Sequence, residues 1–310
     1  MRAPGTPSSS ATLVVSRPRH RLDSSGTMLT VMLAVSTSAL FGVGDFLGGI
    51  ASRRESAIAV TAAAHGIGVV LFTLAVLLFP APFSAAAIAA GVSAGVSGGI
   101  GVAALYSALA RGRMSVVAPL TAALSGSLPA LYDFSQGAQL GTTSLVGLAL
   151  ALLATIIVSA SSSPEQHHEN DPGLPPSAIV LSLVAGVAFA GSFISFSFAG
   201  DASGFWPLFA ARVTSFTMLA ALALIRRGTL RIDPTARRST AGAGLLDAAA
   251  NVTMISAIRI GPLAVASVLG SLYPVVTVLL ARIMLGERLH GLQRFGVALA
   301  LAAVVLAAWP

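Results

Sequence analysis

The sequence predicts an all-α integral membrane protein of ten transmembrane helices, arranged as two inverted five-helix repeats. Three observations carry that prediction. Apolar runs of about 18 to 23 residues recur along the chain, and at about 1.5 Å per residue each spans a hydrocarbon layer of about 30 Å. Apolar residues make up 55% and charged residues 9% of the chain, with a mean hydropathy of +0.87, whereas a soluble domain carries about 25% charged residues. Finally, the chain repeats itself. Sliding it by 149 residues lays Ser107–Ala160 on Ser256–Trp309 without a gap and matches 14 of 54 positions, among them Gly112 with Gly261, Gly137 with Gly286 and Gly147 with Gly296. The same slide pairs Gly42 with Gly191. An odd number of spans per repeat makes the two repeats enter the membrane from opposite sides.

Residues 1–27 are polar and low in complexity, with no apolar run long enough for a signal-peptide core, and read as a disordered tail. Met28 is an alternative start. The first repeat, 28–161, holds helices near 29–51, 56–79, 85–110, 114–133 and 140–161, separated by short corners. In the third of these, Gly91, Gly95 and Gly99 recur every four residues, a spacing that lets two backbones touch. The one long connection is the linker 162–176, within the proline-rich, acidic stretch SSSPEQHHENDPGLPPS. The second repeat, 177–310, holds helices near 177–199, 204–226, 239–259, 263–285 and 290–309.

The formal charge is +7, yet the arginines sit mostly at the ends of apolar segments, which points to topology and lipid headgroups and away from nucleic acid. All 18 basic residues are Arg, which with the Ala and Gly bias indicates a GC-rich bacterial genome and hence the bacterial inner (plasma) membrane, crossed many times. Absence of cysteine excludes disulfides, thiolate metal sites and thiol catalysis. No phosphate-binding loop, zinc helix or nucleophile elbow occurs, so the chain reads as no enzyme, with no cofactor and no metal.

The run GPLAVASVLGSLYPVVTVLLARIMLGERL, followed by Gln293 and Gly296, resembles the closing helix pair of the EamA-type family in the drug/metabolite transporter superfamily. The resemblance implies a ten-helix carrier that moves a small metabolite by alternating access, with export of amino acids, related metabolites or toxic compounds as the leading activity. Its partners are then a small-molecule substrate, the lipid bilayer and, as a candidate coupling ion, protons. The first repeat departs from the pattern: Pro274 falls on Ser125 and Glu287 on Ala138. Two rival readings are an uncoupled facilitator and a non-transporting membrane scaffold or accessory subunit; buried acids argue against the second. Oligomeric state leaves no sequence signature.

A charged group in mid-membrane costs about 2.5–3.5 kcal/mol on insertion scales, so intramembrane ionisable residues are candidate sites. Asp247, Asp45, His65 and Arg212 qualify. By residue count, Asp45, His65 and Asp247 lie about 9 to 13 Å below one surface, with Arg212 a little deeper. Asp247 leads as a substrate- or proton-binding acid, with Asn251 one turn later on the same face; the structural alternative is an ion pair with Arg212. Asp45 is an interfacial residue or a second acid, and His65 a proton relay or a packing residue. Arg212 pairs with Asp247 or meets an anionic group of the substrate. Sliding by 147 sets it opposite His65. Pro274 removes a helical hydrogen bond and is expected to bend its helix. Glu287 and Arg288, the family's GER corner, read as structural. Tyr273 and Trp206 are candidate cavity residues, and His167 and His168 in the linker make a poor metal site.

The odd-numbered corners collect Arg53, Arg54, Arg111, Arg226, Arg237 and five further arginines near them, plus Arg294. The positive-inside rule makes that side cytoplasmic and places both termini outside. The family resemblance implies cytoplasmic termini instead, so orientation stays open at this level.

Overall fold

The structure is a computed structural model and describes residues 24–112, 114–160, 175–226, 229–285 and 291–308. The described residues form eleven α-helices and no strand: α1 (Ser24–Ser52), α2 (Ala57–Leu78), α3 (Ala85–Arg111), α4 (Met114–Ser135), α5 (Thr142–Ala160), α6 (Pro176–Phe196), α7 (Trp206–Ile225), α8 (Pro234–Ile260), α9 (Leu263–Gly270), α10 (Tyr273–Leu285) and α11 (Gly291–Ala308). Six of them, α1, α2, α3, α6, α7 and α8, are long and apolar enough to cross a membrane. Shorter apolar stretches lie in α5, across α9 and α10, and in α11.

Several boundaries differ from those expected. Helix α1 begins at Ser24, inside the segment read as a disordered tail; Thr30 Oγ1 donates to the Gly26 carbonyl at 2.9 Å, so regular helix runs on into polar residues. Helix α8 begins five residues early, at Pro234. Asp233 caps it, accepting the Thr235 N–H at 2.8 Å, and the proline supplies a pre-set φ in the first turn, so the polar turns PTARRST are helical although no apolar period marks them. Helix α6 stops at Phe196, ahead of Gly200 and Gly204, both at positive φ.

The expected helix 263–285 is two helices. Pro274 has no N–H to return to the preceding turn. The chain tightens there into three-residue steps, Leu272 N–H to the Leu269 carbonyl at 3.2 Å and Val275 N–H to the Leu272 carbonyl at 3.0 Å. The Asp133 carboxylate on α4 accepts the Ala264 N–H at 2.9 Å and so caps α9. Tyr273 donates to the Ala118 carbonyl at 3.1 Å.

Long helices pair across the two halves of the chain: α1 lies along α8, α3 along α6, and α2 along α7, while α5 packs on α11. Small residues make these contacts close. Gly95 lies against the backbone of Ala211, and Gly244 against the backbone of Ala64. A Cβ at either position would fall under 3.0 Å from a Cα of the facing helix, so only glycine fits. Ala151 and Ala154 of α5 and Ala300 and Ala303 of α11 are buried in one cluster. Large apolar side chains such as Leu77, Leu78, Val187 and Leu301 point outward, as a bilayer-facing surface requires.

Candidate functional site

The centre of the bundle holds a polar cluster from three helices. His65 of α2 is fully buried, and Arg212 of α7 and Asp247 of α8 nearly so. Arg212 Nη2 lies 2.5 Å from Asp247 Oδ2, a buried ion pair. Arg212 Nη1 lies 3.0 Å from His65 Nε2, and His65 Nδ1 lies 2.8 Å from Ser215 Oγ. His65 Nε2 is 4.0 Å from Asp247 Oδ2. Asn251, one turn beyond Asp247, donates its Nδ2–H to the Asp247 carbonyl at 2.8 Å and to Oδ1 at 3.2 Å.

Helix packing places these groups. The four-residue glycine series of α3 meets α7 step for step: Gly91 against Pro207, Gly95 against Ala211 and Gly99 against Ser215. Gly68 of α2 receives the aliphatic part of Arg212, so that the guanidinium reaches the level of His65, one turn away. Gly244 brings α8 onto α2 one turn before Asp247. A buried pair of this kind is costly to break: removing one partner leaves an uncompensated charge worth about 3–5 kcal/mol.

Arg212, Asp247 and Asn251 open onto a cavity walled by Phe41, Phe189, Phe193 and Phe196 and floored by the glycines of α3. The space in it is about 20 Å³, room for about one water, which needs about 10–15 Å³ by that measure. The cavity as it stands is therefore too small for a solute larger than water.

Asp45 of α1 stands outside this lining. Its carboxyl group is buried, and among the described residues nothing hydrogen-bonds or ion-pairs with it. It lies within electrostatic range of Asp247, Tyr106 and Tyr273. Pro274 sits at the α9–α10 break, whereas Glu287, Arg288, His167 and His168 lie outside the described residues. Tyr273 and Trp206 do not line the cavity. Tyr273 is held by Ala118, and Trp206 stacks edge-on with Phe83 and Phe209 and donates Nε1–H to the Ala81 carbonyl at 3.2 Å. Ser215 was missed; its signal is its place three residues after Arg212, on the same helix face. The phenylalanines of the wall carry no such signal, because an aromatic in an apolar helix reads as packing.

Residues 176–309 match the EamA-like transporter family. The match spans the second half of the chain. No curated protein matches the chain. Among solved structures, one described only as a crystal structure of a protein superposes with a TM-score of 0.71 at 16% identity, over 91% of this chain and 96% of the other. That likeness is one of fold alone, and it covers both halves of the chain. The apolar helices make this a multi-pass membrane protein, and its second half is similar to a family of small-molecule transporters.

Proposed function

We propose that this protein is an alternating-access carrier that exports amino acids or related small metabolites in exchange for protons across the bacterial inner membrane. Its ten spans form two inverted repeats, 28–161 and 177–310, joined by the linker 162–176. Equivalent contacts in the two halves support that plan. Gly95 and Gly244 are 149 residues apart and each meets the backbone of an alanine, Ala211 and Ala64, 147 apart. Ala151 and Ala154 lie in one buried cluster with their counterparts, Ala300 and Ala303.

The observation that carries the carrier reading is the buried Arg212–Asp247 pair beside His65, opening on a closed cavity between the halves. A scaffold gains nothing from charges this expensive, whereas a carrier needs polar groups that can exchange partners when solute or proton arrives. Asp247, with Asn251, is the acid that trades a proton or a substrate group, and Arg212 receives an anionic one.

The test compares metabolites released by cells overexpressing the wild type with those released by Asp247→Asn cells at matched membrane abundance. A compound released by the wild type alone identifies the substrate and places Asp247 in the mechanism. Equal release by both keeps the carrier and reduces Asp247 to structure, and no release by either rejects export.

A further inference from the structure

The hydrogen-bond directions around His65 are determined by its neighbours. A guanidinium only donates, so His65 Nε2, 3.0 Å from Arg212 Nη1, carries a lone pair. At the other end of the ring, Ser215 Oγ also lies 3.3 Å from the Arg212 carbonyl and has one proton, which it donates there. It therefore accepts from His65 Nδ1–H at 2.8 Å. Both ends agree on a neutral imidazole protonated at Nδ1. Three bonds thus close a ring between α2 and α7.

This ring has no place for a second proton. Protonated at Nε2, His65 would present an N–H to the N–H of Arg212, with two cations 3.0 Å apart in a dry interior where charges are poorly screened. The nearest acceptor is Asp247 Oδ2 at 4.0 Å, about 1 Å beyond hydrogen-bonding distance. That oxygen is the one Arg212 holds. The other groups at hand are Asp45 from α1, without a partner among the described residues, and Tyr106 from α3. Neither supplies a cation to replace Arg212.

We propose that His65 is a proton-operated latch between the two halves: a proton at Nε2 transfers Asp247 from Arg212 to His65 and frees Arg212 to bind the anionic group of a solute. His65 and Arg212 hold equivalent places under the 147-residue slide. The latch therefore joins α2 to α7, its counterpart, at the centre of the pair. Breaking it parts the two helices and widens the closed cavity that Arg212 lines. The inference deepens the carrier reading, because it makes His65 the point of proton entry and leaves Asp247 ionised, exchanging one cationic partner for another.

The experiment uses the full chain in lipid nanodiscs and needs no substrate. Histidine labelled with ¹⁵N gives five imidazoles, and His65 is assigned by its loss in His65→Gln. The expected spectrum shows a neutral Nδ1–H tautomer at alkaline pH and an imidazolium on acidification, with the Nδ1–H preference weakened in Ser215→Ala. A neutral Nε2–H tautomer, or an imidazole that stays neutral at every pH where the protein is folded, overturns the latch. Because the chain has no cysteine, spin labels can be placed at the exposed Val70 of α2 and Leu224 of α7. The inter-label distance is expected to lengthen on acidification in wild type and to stay constant in His65→Gln. An equal change in both, or none in wild type, also overturns the proposal. These readouts do not involve release, so a failed latch and a failed carrier assay are told apart.

Discussion

The two halves of the molecule share their packing and differ in their chemistry. Gly95 and Gly244 make the same close approach to a facing backbone, yet where the second half places Asp247 the first half places Gly98, 149 residues earlier, and both line the cavity. Arg212 has His65 as its counterpart. Helix α4 runs unbroken through Pro119 and Pro129, whereas its counterpart is split into α9 and α10 at Pro274. A proline by itself does not divide a helix here: Pro119 and Pro129 each withhold one N–H from α4, which continues, whereas at Pro274 the chain tightens into three-residue steps and splits. The close helix contacts are thus alike in the two halves, and the charged groups of the centre are not.

The sharpest test of that division removes the charge and keeps the shape. Asp247→Ala leaves Arg212 buried without a counter-ion and is expected to lower stability by about 3–5 kcal/mol, read by thermal unfolding in lipid. The double variant Arg212→Met with Asp247→Leu should regain wild-type stability, since buried pairs are replaceable by apolar residues, while abolishing release of the exported compound. If the double variant is as unstable as the single one, the pair belongs to the scaffold and the division is wrong.

A smaller effect tests the shared packing. Gly95→Ala and Gly244→Ala each force a Cβ into a facing backbone, and each is expected to cost about 1–3 kcal/mol by overpacking. Similar losses sharpen the comparison; a loss confined to one half breaks it.

Smaller still are the contacts between the halves at the two ends of the molecule. At one, the Glu55 carboxylate accepts the Asp233 N–H at 3.1 Å; at the other, Trp206 donates to Ala81. Glu55→Ala and Trp206→Phe each delete one hydrogen bond, worth about 0.5–1.5 kcal/mol with the exposed Glu55 contact at the low end. Each is expected to raise the labelling of a cysteine placed in the cavity at Ser192, from its own side only.

The slightest effect concerns Asp233. The Thr235 backbone N–H and then its hydroxyl hold the Asp233 carboxyl below the usual carboxylate range. A depressed folded-state value means that the contribution is present above the unfolded value and is lost as pH falls through the folded one. Protection of the amides in the first turn of α8, measured against their intrinsic exchange rate at each pH, is expected to fall on acidification in wild type, and Asp233→Asn should flatten that dependence.

Much of this fold was legible because membrane spans announce themselves by length and apolarity. What stayed hidden follows from the same signal. The polar turns of α8 from Pro234 are helical through capping, which an apolar period cannot report. The segment 263–285 is apolar throughout, so only the proline hinted at its break. Similar depth suggested that Asp45, His65, Asp247 and the slightly deeper Arg212 could meet, and the structure brings only the last three together, because depth carries no azimuth. It could not tell that Asp45 stands apart from the cavity, nor that Ser215 sets the orientation of His65. Tyr273 and Trp206 looked like cavity residues for the same reason, and their side chains turn to other helices.

The small central space has a consequence for access. A cavity with space for about one water admits no solute of amino-acid size. Any such molecule reaches Arg212 and Asp247 only after the surrounding helices have moved apart.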